Sequence, residues 1–376
     1  MKSARVKSAP VRAAARRGWP APRGGVRLAV PVRASVRRLA PYLAPEEGRE
    51  AKLRLDFNEN TVGCSPNVLR ALRRITPEQF AIYPEYEAAT RRLARHFGVR
   101  PAEMLFSNGV DDALRLIMDT FVETGNTVLI PEPTFSMYRF FAEIAGARVQ
   151  AVPYEDSVRF PLEAILRALA RSPRVLCLAN PNNPTGTLLD RAALRRILDA
   201  APRTLVLVDE AYFEFAGVTV LPWIRRRANL VVSRTLSKAA GLASLRLGVL
   251  FARSDVADAL RRACTPYPVS NAALIAAEAA LADRDFLRGY VREVLASRRH
   301  LAQGLERLGV RVFPSGANFL LVDFGPGGSR LVRRLARRGI LLRDRAGEMG
   351  RDGFVRVTAG TVAQTRRLLR AIEEER

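Results

Sequence analysis

Six short apolar runs recur through the middle of the chain: Met104–Phe106, Thr127–Ile130, Val175–Ala179, Leu205–Val208, Leu230–Val232 and Leu247–Phe251. Between several of them lie stretches with helical periodicity, at Asp111–Phe121, Phe140–Ala145 and Arg191–Ala200. A strand that is apolar without alternation must be buried on both faces, and helices laid over both sides of a parallel sheet provide that burial. After about residue 266 the pattern changes to long helical segments over Asn271–Leu308, then a few strands, then a terminal helix over Val362–Glu375. The expected fold class is α/β. A large domain over 66–265 carries a mostly parallel sheet sandwiched by helices, and a smaller α+β domain follows over 266–376.

Composition narrows the function classes. With 376 residues, 48% hydrophobic and 26% charged, the chain is long and apolar enough for two cores, which excludes wholesale disorder and a coiled coil. No apolar run approaches the roughly 20 residues that span a bilayer, so no membrane segment is expected. The formal charge of +24 would suggest nucleic acid, but it is unevenly placed. Residues 1–40 hold eleven basic residues and no acidic one, while the remainder carries 50 basic against 37 acidic. The first 40 residues, rich in Arg, Ala and Pro, read as a disordered arm, with a targeting segment or an over-long gene start as the other readings. Cys64, Cys177 and Cys264 form no metal or disulfide pattern and fit a reducing, cytoplasmic setting; two histidines supply little metal chemistry, and no metal is expected.

The basic residues are nearly all arginine. Beyond Lys52 there is a single lysine, Lys238. Arginine serves for surface charge as well as lysine does, but it cannot form a Schiff base, which needs a neutral primary amine.

In an open parallel sheet, ligands bind beyond the carboxyl ends of the strands. After Met104–Phe106 comes Ser107-Asn108-Gly109-Val110-Asp111-Asp112 and a helix, a turn whose free N–H groups suit a phosphate, although an ordinary N-cap would look the same. After Val175–Ala179 comes Asn180-Pro181-Asn182-Asn183-Pro184-Thr185-Gly186, a rigid turn with three amides, of which Asn183 can donate to an anionic ring oxygen. After Leu205–Val208 comes Asp209-Glu210-Ala211-Tyr212. An ionised carboxylate at the end of a buried strand is costly without a cationic partner. After Leu230–Val232 comes Ser233-Arg234-Thr235-Leu236-Ser237-Lys238, with Arg246 within reach. A phosphate cradle, an amide, a carboxylate, a tyrosine and one lysine on successive strand ends are the set that pyridoxal phosphate requires.

On these residues the sequence resembles the fold-type I pyridoxal-phosphate aminotransferases and, within them, the histidinol-phosphate aminotransferase group, over about residues 38–376. The resemblance implies a seven-stranded sheet in the large domain, with residues 41–65 contributing to the small domain and the substrate site. It implies that Lys238 is the Schiff-base lysine, Asp209 the partner of the ring nitrogen, and Asn183 and Tyr212 the contacts of the ring hydroxyl oxygen. Gly109, Val110, Asp111, Thr235, Ser237 and Arg246 are then the cofactor-phosphate residues, and Phe135, in Pro133-Thr134-Phe135-Ser136-Met137-Tyr138, stacks on the ring.

For substrate the resemblance implies Tyr42, Asn58 (in Leu55-Asp56-Phe57-Asn58-Glu59-Asn60), Tyr83 and Asn183, with Arg343 and Arg356 from two carboxy-terminal motifs gripping a carboxylate or phosphate. Tyr83 is expected to reach the neighbouring subunit's site in a homodimer. The implied reaction moves an amino group between L-histidinol phosphate and 2-oxoglutarate. The rival readings are another reaction on the same scaffold, an aromatic aminotransferase or a threonine-phosphate decarboxylase, and more remotely a basic nucleic-acid-binding protein.

Overall fold

A computed structural model describes residues 30–37, 39, 48–156 and 158–375. In chain order its strands are β1 (Leu53–Leu55), β2 (Met104–Asn108), β3 (Thr127–Glu132), β4 (Arg148–Pro153), β5 (Val175–Ala179) and β6 (Leu205–Asp209). They continue as β7 (Leu230–Thr235), β8 (Leu247–Ala252), β9 (Arg311–Val312), β10 (Phe319–Asp323), β11 (Ile340–Asp344) and β12 (Phe354–Thr358). The larger sheet has seven strands in the order β2-β8-β7-β6-β5-β3-β4, and within it β8 alone runs against its neighbours. All six expected runs lie in this mostly parallel sheet. The seventh strand, β4, is not among them. It is an edge strand bonded only to β3 and mostly solvent-facing, so its Arg-Val-Gln-Ala-Val-Pro sequence lacks the apolar run of a central strand.

Both faces of the sheet are covered, which is why its central strands read as unbroken apolar runs. Leu176, Val206, Val208 and Val232 face one core, while Val175, Cys177, Leu207 and Val231 face the other. Every residue of β6 is buried, including the aspartate that ends it. Helix Gly109–Phe121 follows β2, Met137–Ile144 follows β3, and Arg191–Asp199 follows β5, with Asp190 capping the last through its bond to the Ala193 amide.

The expected helical stretch over Asn271–Leu308 is two helices, Asn271–Ala282 and Arg284–Arg307. Asp283 divides them, its carboxylate accepting from the Phe286 amide as the cap of the second. The terminal helix occupies Val362–Glu375 as expected.

The second sheet has five strands in the order β1-β11-β12-β10-β9. Its first strand comes from the amino-terminal side of the chain: β1 pairs in parallel with β11, Leu53 opposite Ile340. This pairing carries residues 56–60 across to the mouth of the larger sheet. Upstream, residues 34–37 form one helical turn, and the Arg33 guanidinium donates to the Ile144 carbonyl. Most of the expected basic arm lies outside the described residues. Among the described residues no helix is long and apolar enough to cross a membrane.

Candidate active site

Strands β5, β6 and β7 are adjacent and parallel, so the segments that follow them emerge side by side. Strand β8 runs the other way, and its amino end therefore lies at the same edge, which brings in Arg246 immediately before Leu247. One cavity opens there. Its lining includes Lys238, Asp209, Tyr212, Asn183, Val110, Asp111, Phe135, Thr235, Ser237, Arg246, Asn58, Arg343 and Arg356.

Asp209 is 4% exposed, and its carboxylate accepts from Tyr138 Oη at 2.7 Å and Ser233 Oγ at 2.9 Å. Burial pushes its pKa up to about 6, against the pull of those two hydroxyls and the Ala211 amide. Its hydrogen-bond donors are neutral, and no cation pairs with it among the described residues. A buried carboxylate in that state fits a protonated ring nitrogen as its missing partner. Ser233 lies opposite Asp209 in the β6–β7 register, which fixes the first contact; Tyr138 comes from the helix after β3.

Beside Arg246, which also lines the cavity, the turn into helix Gly109–Phe121 is closed against that guanidinium. Gly109 has φ +74°, and a Cβ there would lie 2.5 Å from Arg246 Nη2, so the backbone must come as close as only glycine permits. Arg246 donates to Asp111 at 2.9 Å, and Thr235 Oγ1 accepts from the Ser237 amide at 3.1 Å. A helix N-terminus, two hydroxyls and a guanidinium are the donors a phosphate monoester requires.

Lys238 is half-buried, its Nζ donating to the Phe57 carbonyl at 3.0 Å. The Phe57–Asn60 loop braces this region from the second sheet. Asn58 donates through its side-chain amide to Tyr212 Oη at 2.9 Å and through its backbone N–H to Thr358 Oγ1 at 3.0 Å, while the Asn60 amide donates to the Ala239 carbonyl at 3.1 Å. Asn318 in turn donates to the Asn58 carbonyl at 3.1 Å.

Arg356, on β12, is 3% exposed and donates to Asn183 Oδ1 and the Asp56 carbonyl, while its Nε has no partner among the described residues. Burial, with Arg345 close by, pushes its pKa down to about 9, so it remains a cation at neutral pH. The Arg343 guanidinium sits over the Phe57 ring at 5.1 Å. Phe135 packs edge-on against Tyr138, ring centroids 5.7 Å apart.

One expected substrate residue stands apart from this cavity. Tyr83 is 72% exposed, stacked on Tyr267 at 4.3 Å, and is not among the residues lining the cavity of its own chain. Tyr42 lies outside the described residues. The structure also adds cavity residues to which the sequence reading assigns no role, namely Phe57, Tyr138, Arg345 and Glu348. Tyr138 ends the Pro133–Tyr138 run, and Arg345 sits two residues beyond Arg343, but nothing local marks which way either side chain turns.

The family model "Aminotransferase class I and II" matches residues 50–372. A histidinol-phosphate aminotransferase of Geobacillus sp. is 35% identical over 358 residues, 91% of this chain and 97% of the relative. One from Roseiflexus castenholzii is 39% identical over 336 residues, covering 86% and 90%. Among solved structures, histidinol-phosphate aminotransferase from Sinorhizobium meliloti in complex with pyridoxal-5'-phosphate superposes with a TM-score of 0.83 at 28% identity, over 94% of this chain and all of that one. The chain belongs to the class I and II aminotransferases, in the histidinol-phosphate group; it is a transaminase whose cofactor is pyridoxal 5'-phosphate.

Proposed function

We propose that this transaminase moves the amino group of L-histidinol phosphate to 2-oxoglutarate, and that the roles implied for its site residues hold. One observation carries the reading: a single cavity joins Lys238, Asp209 and the Gly109–Arg246 cradle at one end to Arg343 and Arg356 at the other. A cofactor and a substrate anion can therefore be held at the same time.

Val110, Asp111, Thr235, Ser237 and Arg246 would hold the cofactor phosphate, Asn183 and Tyr212 its ring hydroxyl oxygen, and Asp209 its ring nitrogen. The bound cofactor supplies an electron sink for the pair left when the substrate Cα loses its proton. Lys238 Nζ, as the free amine, would take that proton from Cα and return it to the carbon that was the cofactor's aldehyde carbon, ending again as the free amine. Asp209, which a cationic ring nitrogen would favour in its ionised form, would keep that nitrogen protonated. Tyr212, fixed by Asn58 at 2.9 Å, is positioned beside the lysine, whose Nζ lies 5.9 Å from its ring centroid. Arg356 takes the carboxylate of the acceptor or the phosphate of the donor, with Arg343 assisting.

The same reading makes the protein a homodimer in which Tyr83 serves the partner's cavity. Its support is the exposed apolar cluster of Phe80 (71%), Ile82 (55%) and Tyr83, outside the cavity of its own chain. We further propose a domain boundary near residue 265, with 41–65 contributing to the small domain and the substrate site.

The deciding experiment is a panel of amino donors with 2-oxoglutarate, including L-histidinol phosphate and phenylalanine. Preference for the phosphorylated donor supports the reading, whereas preference for phenylalanine, or carbon dioxide release from an amino acid, refutes it. For the dimer, mixing inactive Lys238→Ala and Tyr83→Phe chains should restore part of the activity, because one hybrid site regains both residues; no recovery refutes the shared site.

A further inference from the structure

The carboxylates lining the cavity are Glu59, Asp111, Asp209 and Glu348. Each of the first three has an assignment: Glu59 pairs with Arg49 at 3.0 Å, Asp111 with Arg246 at 2.9 Å, and Asp209 accepts from Tyr138 and Ser233. Glu348 is different. It lies on the short helix Ala346–Met349 beyond β11, and both of its oxygens accept from Nη1 of Arg345, at 2.5 and 2.7 Å. Arg345 is the more deeply held partner, its side chain 11% exposed against 39% for Glu348. Its Nε is buried and unpartnered, as is that of Arg356.

The substrate end of the cavity thus presents three guanidiniums, Arg343, Arg345 and Arg356, against one available carboxylate. The excess is about two positive charges. A phosphate monoester carries roughly −1.5 to −2 at neutral pH and offers three strong acceptor oxygens. A buried guanidinium left without a counter-ion is costly, and a carboxylate that can turn to water is the partner most readily given up.

We propose that Arg345 is a specificity-determining residue of the substrate end, and that Glu348 is its built-in counter-ion, displaced when the phosphate of the substrate arrives. The inference rests on the reading that the amino donor is a phosphomonoester. Discrimination then follows from the exchange itself. A donor with a dianionic end replaces the carboxylate and satisfies the guanidinium, whereas a neutral or aromatic side chain must leave the Arg345–Glu348 pair in place and gains nothing from it.

The test uses inorganic phosphate titrated calorimetrically into the cofactor-loaded protein, in which the cofactor cradle is already filled. Glu348→Gln removes the competing charge and should bind phosphate about tenfold more tightly than wild type, while Arg345→Gln should bind it about tenfold more weakly. Arg345→Lys keeps the charge without the forked donors and should fall between them. An unchanged visible spectrum of the bound cofactor shows that each variant has kept its site. Equal affinities across the set, or no phosphate binding by wild type, overturns the proposal. Turnover of L-histidinol phosphate by wild type is measured separately. Absent turnover combined with affinities that follow the variants strikes the donor reading and leaves the pair standing; turnover with affinities that ignore them does the reverse.

Discussion

The phenol oxygen of Tyr138 lies 2.7 Å from Oδ2 of Asp209, 71 residues away in the chain, with both side chains buried. A neutral donor of this kind steadies the carboxylate without cancelling its charge, so the carboxylate remains available to a cation. Tyr138→Phe should leave the packing intact and remove that donor. Asp209 would then hold its proton to higher pH, and pyridoxal phosphate should bind about tenfold more weakly near neutral pH, since hydrogen bonds to charged groups contribute about 1.5–3 kcal/mol. Cofactor titrations between pH 5.5 and 8 measure this; an unchanged affinity and pH profile would mean that the contact is only packing.

Asp209 also makes the cofactor-free protein sensitive to pH. Its folded pKa, about 6, lies above the ordinary 3.8, so the folded state binds the extra proton. The resulting stability is present at low pH and lost as pH rises through about 6, amounting to about 3 kcal/mol for this group. Glu214, pushed up to about 7 by burial, acts with the same sign. Asp209→Asn should therefore raise the melting temperature of the cofactor-free protein at pH 7.5, change it little at pH 4, and weaken cofactor binding. A melting temperature lowered at pH 7.5 would contradict the assignment of a buried, unpaired charge.

Removing the amine should separate chemistry from folding. Lys238→Ala deletes one half-buried contact, to the Phe57 carbonyl, and little else. Its melting curve should stay close to wild type while turnover falls by about a thousandfold or more, within or beyond the range of roughly a hundred- to ten-thousandfold that a positioned acid–base group contributes. Retained turnover would sink the mechanism.

Arg356→Gln should act on substrate affinity. The guanidinium is buried against Asn183 and the Asp56 carbonyl, so the variant loses one cation and keeps only a shorter amide that ends near the position of Nε. The KM values for both amino donor and 2-oxo acid should rise, each by tenfold or more, because a charge-assisted bond to an anion is lost. A change confined to one of the two substrates would show that they are held by different arginines.

The ion pair behind the cavity is a stability element. Arg234 meets Glu210 at 2.8 Å with side chains 9% and 1% exposed, and its guanidinium covers the Phe213 ring at 3.7 Å. Arg234→Ala leaves a buried carboxylate without its cation and should cost about 3–5 kcal/mol in chemical denaturation. A loss under about 1 kcal/mol would place the pair with solvated surface bridges instead.

The large sheet was legible because its evidence is local. An unbroken apolar run such as Leu205–Val208 has no stable place except between two covered faces, and the residues that follow such runs must emerge at one edge. Strand β4 escaped for the same reason in reverse: at the sheet margin its side chains meet water and its sequence looks like a loop. The cofactor end was legible through residue chemistry, since a lone lysine among arginines and an aspartate ending a buried strand each allow few explanations.

The substrate end needed the folded chain. Asn58 meets Thr358 and Tyr212, and Arg356 meets Asn183, across separations of 300, 154 and 173 residues; the Asn58 contacts follow from β1 joining the carboxy-terminal sheet, and the Arg356 contact from β12 facing the turn after β5. Sequence by itself determined the class of sheet, the order of its strands along the chain and the chemical types at its working edge, because periodicity and side-chain chemistry are properties of neighbouring residues. Tertiary structure alone decided which strands lie side by side, that Tyr138 and Ser233 turn onto Asp209, and that Arg345 and Glu348 line the same cavity as Arg356, because side-chain direction and long-range pairing are set by packing, which no local stretch encodes.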